Sequence, residues 1–517
     1  MPAISIAHKI LRNTSWNIFS KCIHIPVSIC LIPFIMDRVG MHWYGIWVAF
    51  FAFVDYFTLL DFGVGAATIR YVAEYHASRD IDKIGRVAVS TCGYNLLFLS
   101  PLIAAYFCAD NVLNFFHIAP HEMEEARFLF HWVLFNFALS QFTSVFRNIL
   151  IGLQQIHVIN RCEILYLAAY AGCTVAVLSS GAGLKGLVVM LFFLRFGLAA
   201  AQLLCVLKSV PLRVQSGWVI DGALLKDFIR YGLKLQLASL VGLLNFQLDK
   251  LLIGHLLKIE FVAFYDLGSK LASMSRTIPS ALMSPVVPAA AELLVQRDNA
   301  RLRELYLRGT RYLSLIAAPL TAFLLAMGSP ILTLWLGNHV HAYAVLALQF
   351  LAIGYYFNII TGVVNSLGRG MGVLKYELQT SALIIILNLI LSVALILHMG
   401  FVGALIGTCV AMTVGNLLYL FRFNKYLEIP AQTLLRQVFF GPAGASVIAG
   451  GVLYIVQLMA GDFLGLETMS RPELALYLCT AAVAFFCVFC AALMLLRCID
   501  RSDVELVSRI WAAVRMA

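Results

Sequence analysis

Fourteen apolar stretches, each long enough to cross a bilayer, alternate with short polar loops along this chain of 517 residues. They run over about 15–36, 44–67, 86–108, 127–150, 158–180, 183–208, 228–255, 261–290, 309–330, 342–366, 375–398, 400–424, 433–460 and 474–499. About 20 apolar residues suffice to cross the hydrocarbon core as a helix. In lipid such a run satisfies its own backbone hydrogen bonds only when helical. The pattern predicts an all-α integral membrane protein of about 14 transmembrane helices with no extramembrane domain. The first run carries Lys21, His24, Pro26 and Pro33 and lacks a small-residue cleavage site, so it reads as the first span and not as a cleaved signal.

The chain also repeats itself weakly. Gly152, Gln154, an apolar run and Gly183-Leu-Lys-Gly186 are matched by Gly368, an apolar run and Gly400-Phe-Val-Gly403, at an offset of about 216 residues. Six spans separate the copies, so both have the same orientation. Parallel repeats of this kind mark transporters, with the substrate site between the halves. The expected organisation is an N-terminal lobe over 1–210, a C-terminal lobe over 211–427, and an accessory pair of spans with a tail over 428–517. The two six-helix lobes are expected to be related by a pseudo-two-fold axis.

Composition agrees with a membrane setting: 61% of residues are hydrophobic, 12% are charged, and mean hydropathy is +0.88. The formal charge of +10 would point to nucleic acid in a water-soluble protein. Here its distribution reports orientation. With a cytoplasmic N-terminus, 26 of the 37 Lys and Arg fall on inward loops and termini, five on outward loops and six within spans. Cationic side chains resist translocation, so both termini are expected in the cytoplasm, and no nucleic-acid partner is expected. The 12 cysteines are scattered, with no metal-ligand spacing in a loop, and read as small apolar residues.

Several short motifs in order carry a resemblance. Arg12-Asn-Thr-Ser-Trp16 leads into the first span, Tyr44-Gly-Ile-Trp47 opens the second, and Leu60-Asp-Phe-Gly-Val-Gly65 with Arg70-Tyr-Val-Ala-Glu-Tyr75 closes it. Gly152-Leu-Gln-Gln-Ile-His-Val-Ile-Asn160 joins spans four and five, Pro285-Val-Val-Pro288-Ala-Ala-Ala-Glu292 ends span eight, and Leu334-Trp-Leu-Gly337 ends span nine. Over residues 10–425 the chain resembles the Wzx-type polysaccharide flippases of the multidrug/oligosaccharidyl-lipid/polysaccharide exporter superfamily. The resemblance implies two six-helix lobes around a central cavity plus two extra helices. It also implies a substrate, an undecaprenyl-diphosphate-linked oligosaccharide moved from the cytoplasmic to the outer leaflet of a bacterial inner membrane. The polysaccharide polymerase and chain-length machinery are the implied partners, and a monomer is the expected transport unit.

Charges within spans are expensive in lipid and therefore candidate function. Asn17, Lys21, His24 and Ser28 share one face of span one. Lys234, Asn245 and Asp249 form a second stripe in span seven. Span eight carries Asp266 and Lys270 at i, i+4, with Arg276 beyond, and span two carries Asp55 and Asp61. Lys21, Lys234, Lys270 and Arg276, with Asn17, His24 and Asn245, are the candidates for a cationic cavity that holds a lipid diphosphate. Asp55, Asp61, Asp249 and Asp266 are the candidates for ion coupling or gating.

Each has a plainer alternative: Asp266–Lys270 as an intrahelical pair, Lys21 and Lys250 as snorkelling residues, Asp61 as a turn cap beside close-packing glycines, His24 as a hydrogen-bonding residue. Pro26 and Pro33, and Pro285 and Pro288 with Pro279, make spans one and eight candidate hinges, with the seam between them as a lateral gate. Gly63, Gly65, Ala66 and Ala67 suit a tight inner seal. Glu122, Glu124 and Glu125 near His117 and His121 read as a solvated face, not a metal site.

No phosphate loop, His-Glu-x-x-His motif or Gly-x-Ser-x-Gly elbow occurs in the sequence. No cofactor or enzymatic activity is expected, and the drive is an H⁺ or Na⁺ gradient or removal of product. The rival readings are a cation-coupled small-molecule exporter of the same superfamily, and an integral-membrane polymerase or glycosyltransferase.

Overall fold

The computed structural model describes residues 23–24, 26–210, 222–283, 285–464 and 469–496. Among them every regular element is helical, as the apolar runs require. They pack as two units, one ending at Ala263 and one beginning at Phe264.

The first unit contains α1 (26–39), α2 (Met41–Asp55), a 3₁₀ segment (Tyr56–Asp61), α3 (Val64–Ala77), α4 (Ile81–Leu97), α5 (Leu99–Phe107), α6 (Ala109–Phe115), a 3₁₀ turn (Pro120–Glu122), α7 (Met123–Gly152), α8 (Ile156–Ser179), α9 (Gly183–Ser209) and α10 (Gly222–Leu256). The first turn of α11 (Glu260–Met274) completes it. The 30-residue α7 packs against α2, α3, α4 and α9. Phe50 meets Phe116 and Phe130 edge-on, at 6.1 and 5.3 Å between ring centres.

Span two, expected as one helix over 44–67, is bent. Phe62 (φ 44°) and Gly63 (φ 74°) are both left-handed, and two such residues in succession end a right-handed helix. Gly63 also lies directly on the backbone of Gly232 in α10, leaving no room for a Cβ on either. This glycine pair sets how closely α3 approaches α10.

The second unit holds the rest of α11, then α12 (Thr277–Leu282), α13 (Val286–Val295), α14 (Asn299–Leu336), α15 (Ala342–Ile360), α16 (Gly362–Gly370), α17 (Lys375–Met399), α18 (Phe401–Tyr426), α19 (Ala431–Leu434), a π-helical turn (Leu435–Phe440), α20 (Gly441–Leu464) and α21 (Arg471–Leu495). The 38-residue α14 contains Pro319 and Pro330 and is capped by Asp298, whose carboxylate accepts from the Arg301 amide at 3.0 Å. Ala326 and Met327 of α14 pack with Ala445, Ala449, Phe485 and Phe489 of α20 and α21. The α8–α9 and α17–α18 hairpins turn at Gly183 and Gly400, each with φ 60°. These are the glycines of the two sequence copies.

Eleven helical stretches among the described residues are long and apolar enough to cross a membrane. Expected spans one, seven and eight are not among them. Span one lies partly outside the described residues. The 35-residue α10 carries the charged stripe of span seven. Span eight, expected as one helix over 261–290, is three: α11 ends at Met274, α12 covers six residues, and Pro285 is the N-cap of α13.

Candidate functional site

In the first unit the candidate acids sit where α2 meets α10. Asp55 is the last residue of α2 and is half-buried. Its Oδ2 accepts from Gln247 Nε2 at 3.2 Å, and its backbone carbonyl accepts from Thr58 Oγ1 at 2.6 Å. Lys250 and Arg195 lie within electrostatic reach of its carboxylate. Arg195, in mid-α9, donates through Nη1 to the Asn136 carbonyl of α7 at 3.1 Å. Asn136 in turn donates to the Trp132 and Val188 carbonyls at 2.9 and 3.0 Å. Asp249 is 1% exposed and interacts electrostatically with Tyr56.

Asp61 has different company. Its Oδ2 accepts from the Gly65 amide at 3.3 Å, closing the left-handed turn into α3. The Tyr94 hydroxyl donates to the neighbouring Leu60 carbonyl at 2.6 Å.

In the second unit α11 presents Asp266, Ser269, Lys270 and Ser273 at i, i+3, i+4 and i+7, one helix face. Lys270 Nζ lies 2.6 Å from Asp266 Oδ2, with the side chains 40% and 4% exposed. Ser269 Oγ is 3.2 Å from the Tyr355 hydroxyl of α15. Arg276 follows in the break between α11 and α12, its guanidinium 5.3 Å from the centre of the Tyr355 ring. That is cation–π distance. Tyr355 thus serves both Arg276 and the stripe, holding the guanidinium on its face and Ser269 at its rim.

The Asp266–Lys270 pair is asymmetric in its exposure. Lys270→Met removes the ammonium from an acid that is 4% exposed, and is expected to destabilise by about 3 kcal/mol. Asp266→Asn leaves a lysine that already reaches solvent, and is expected to destabilise by about 1 kcal/mol or less. Thermal unfolding of the purified variants compares them. Equal losses would mean that the pair is not what holds Asp266.

His24 is exposed, with Nδ1 3.3 Å from Ser28 Oγ. Asn17 and Lys21 lie outside the described residues, as do the side chains of Lys234 and Asn245. Pro26 and Pro33 lie within α1, which is unbroken over 26–39, whereas Pro285 marks a real break and Pro288 falls in the first turn of α13. Among the described residues no three His, Cys, Asp or Glu side chains are grouped to hold a metal. Reading the sequence missed Tyr355, Ser269, Gln247 and Arg195. Only Arg195 carried a signal that sequence alone could use, as a charge in the middle of an apolar run.

Long apolar helices, with charges inside them that have polar partners, define a multi-pass membrane protein. The chain belongs to the polysaccharide biosynthesis protein family, whose model matches residues 42–345. It is 20% identical over 424 residues to a putative O-antigen transporter of Shigella flexneri, covering 81% of this chain and 99% of that protein. Its structure is similar to that of the lipid II flippase MurJ in an inward closed conformation, with a TM-score of 0.69 at 14% identity over 93% of this chain and 97% of that one. It is also similar to an inward-facing multidrug resistance MATE family transporter of the MOP superfamily, with a TM-score of 0.60 at 17% identity over 80% and 95% of the two chains. At these identities the structural likenesses establish a shared fold.

Proposed function

We propose that this protein is a flippase that moves undecaprenyl-diphosphate-linked oligosaccharide units from the cytoplasmic to the outer leaflet, for O-antigen, capsule or exopolysaccharide synthesis. The observation that carries this reading is the alignment of nearly the whole of a putative O-antigen transporter with this chain, within a family of polysaccharide biosynthesis proteins. The lobes 1–210 and 211–427 alternate access to the substrate, with 428–517 as an accessory pair of helices. The protein lies in the inner membrane with both termini in the cytoplasm, and delivers to the polymerase and chain-length machinery.

Lys21, Lys234, Lys270 and Arg276 form the field for the diphosphate, with Asn17, His24 and Asn245 beside them. Charge-assisted hydrogen bonds suit phosphate oxygens. The prenyl tail stays in lipid, so the head group enters sideways, through the seam between spans one and eight. Asp55, Asp249 and Asp266 are the carboxylates available to couple H⁺ or Na⁺, since each keeps an ionisable group inside a low-dielectric region. Asp61 serves mainly to close its turn.

The test is the leaflet on which the lipid-linked repeat unit accumulates in a bacterial strain lacking the protein. Cytoplasmic-face accumulation, relieved by the wild-type gene, is expected. Normal outer-leaflet delivery would overturn the reading. It would favour the small-molecule exporter that the MATE-like fold also accommodates, and drug-efflux assays would then decide.

A further inference from the structure

Three chain segments, far apart in sequence, meet on one imidazole. His42, in the first turn of α2, has Nδ1 3.0 Å from a Glu260 carboxylate oxygen at the start of α11. Its Nε2 lies 3.0 Å from Glu122, the last residue of the 3₁₀ turn before α7. The seat for this meeting is built into α2. Gly45, one turn beyond His42, faces the Ile259 carbonyl so closely that an added Cβ would stand 2.5 Å from it. The α10–α11 turn itself is closed by the Phe261 and Val262 amides, which donate to the Lys258 and Ile259 carbonyls at 3.0 Å each.

The chemistry of the ring then counts protons. A neutral imidazole has one N–H and one lone pair, whereas the charged ring has two N–H groups. Two ionised carboxylates can both be served only by the charged ring. With a neutral ring and ionised acids, one carboxylate faces a nitrogen lone pair and that contact is repulsive. Placing one additional proton on Glu122 or Glu260, with the ring neutral, serves both contacts and holds the same number of protons as the charged ring with two ionised acids. The closed three-group cluster therefore holds one more proton than a neutral ring with two ionised acids.

We infer that His42, Glu122 and Glu260 form a proton-operated clasp, which fastens the α10–α11 turn to the start of α2 and lets it go when the proton leaves. The clasp sits at the outward end of these helices in the orientation proposed above, but its chemistry does not depend on that orientation or on the substrate.

Of the other charged groups at this end among the described residues, His121 also approaches the cluster, and the rest are engaged elsewhere or face solvent. His121 meets Glu122 at 3.8 Å. Glu125 reaches Lys185 at 3.8 Å, and Arg127 pairs with Asp110 at 2.7 Å. Arg38 lies over the Phe34 ring at 5.7 Å. Nδ1 of His255 is 2.7 Å from the Phe115 carbonyl, and its ring is 5.3 Å from that of His117. Asp37, Glu124 and Lys258 are exposed.

The test is hydrogen exchange of the Phe261 and Val262 amides in the full-length protein in lipid nanodiscs. It is read at about pH 5.5 and about pH 8, after correction for intrinsic exchange. Wild-type protection is expected to fall about tenfold across this range, the loss of one charge-assisted hydrogen bond. His42→Gln is expected to show low protection at both values. His42→Lys, whose ammonium serves both acids throughout, is expected to show high protection at both. His121→Gln is expected to follow the wild type. Protection independent of pH in the wild type, or a pH response that survives His42→Gln or vanishes in His121→Gln, would overturn the clasp.

Discussion

Alanine at Gly63 is expected to destabilise the first unit by about 4 kcal/mol, enough to deplete the folded protein in the membrane. Two effects combine at that position. The residue has φ 74°, a conformation that costs an L-residue with a side chain roughly 1–2 kcal/mol. The added methyl would also fall on the Cα, carbonyl carbon and oxygen of Gly232. Backbone cannot move aside as a side chain can, so α3 and α10 would have to part. Gly232→Ala meets only the second effect, because α10 is helical there, and about 2 kcal/mol is expected. The double variant should fall short of the sum, since one methyl already opens the gap that the second would fill. Gly181→Ala is the control: its φ is 80° but nothing lies within 4 Å of its missing Cβ, so about 1 kcal/mol is expected. Unfolding midpoints of purified protein in mild detergent rank the four. A Gly63→Ala variant no worse than Gly181→Ala would show that the close approach is not maintained in the folded protein.

The largest functional effect is expected at Arg276. Arg276→Ala should lower transport of the lipid-linked unit at least tenfold at normal protein level, the worth of about one charge-assisted hydrogen bond to a phosphate. Arg276→Lys keeps the charge but loses the planar fork and the stacking surface, so partial activity is expected. Tyr355 discriminates the platform from mere packing. Tyr355→Phe retains the ring beneath the guanidinium and loses the hydroxyl that meets Ser269, 3.2 Å away; near-normal transport is expected. Tyr355→Leu removes the π face and should lower transport about threefold. Normal transport by Arg276→Ala would remove this residue from the substrate field. Equal losses in Tyr355→Phe and Tyr355→Leu would make the hydroxyl, and not the ring, the operative group.

Most of the fold is legible in the sequence because lipid imposes it. The runs at 158–180, 183–208, 375–398 and 400–424 appear as α8, α9, α17 and α18 within a few residues, with Gly183 and Gly400 at the turns. Hydropathy is less informative where a helix leaves the lipid. The run at 309–330 is only the middle of α14, because its first three turns are amphipathic and basic. Hydropathy is also blind to bends. Nothing in the apolar content of 261–290 places breaks after Met274 and before Val286, although Pro279 and Pro285 were available signals.

The site divides in the same way. The Asp266–Lys270 pair is read from i, i+4 spacing alone. Tyr355 is not, since the hydroxyl that meets Ser269 lies 86 residues further on. Glu122 reads as part of a solvated acidic face until the fold brings it to His42, 80 residues earlier in the chain, with Glu260, 218 residues from His42, on the other side of the ring.

The 38 residues of α14 make a rod of about 57 Å, against a hydrocarbon core of about 30 Å. Lying wholly within that core would take a tilt of about 58°, beyond the 0–40° range of membrane helices. The Asn299–Arg311 end, with Arg301, Arg303, Arg308 and Arg311, therefore stands among headgroups and water. A thicker membrane draws in some of this reserve and a thinner one releases more, and the long arginine stems reach headgroups in either case. One helix thus gives the protein tolerance to bilayer thickness, where a span of minimal length would have to deform the lipid around it.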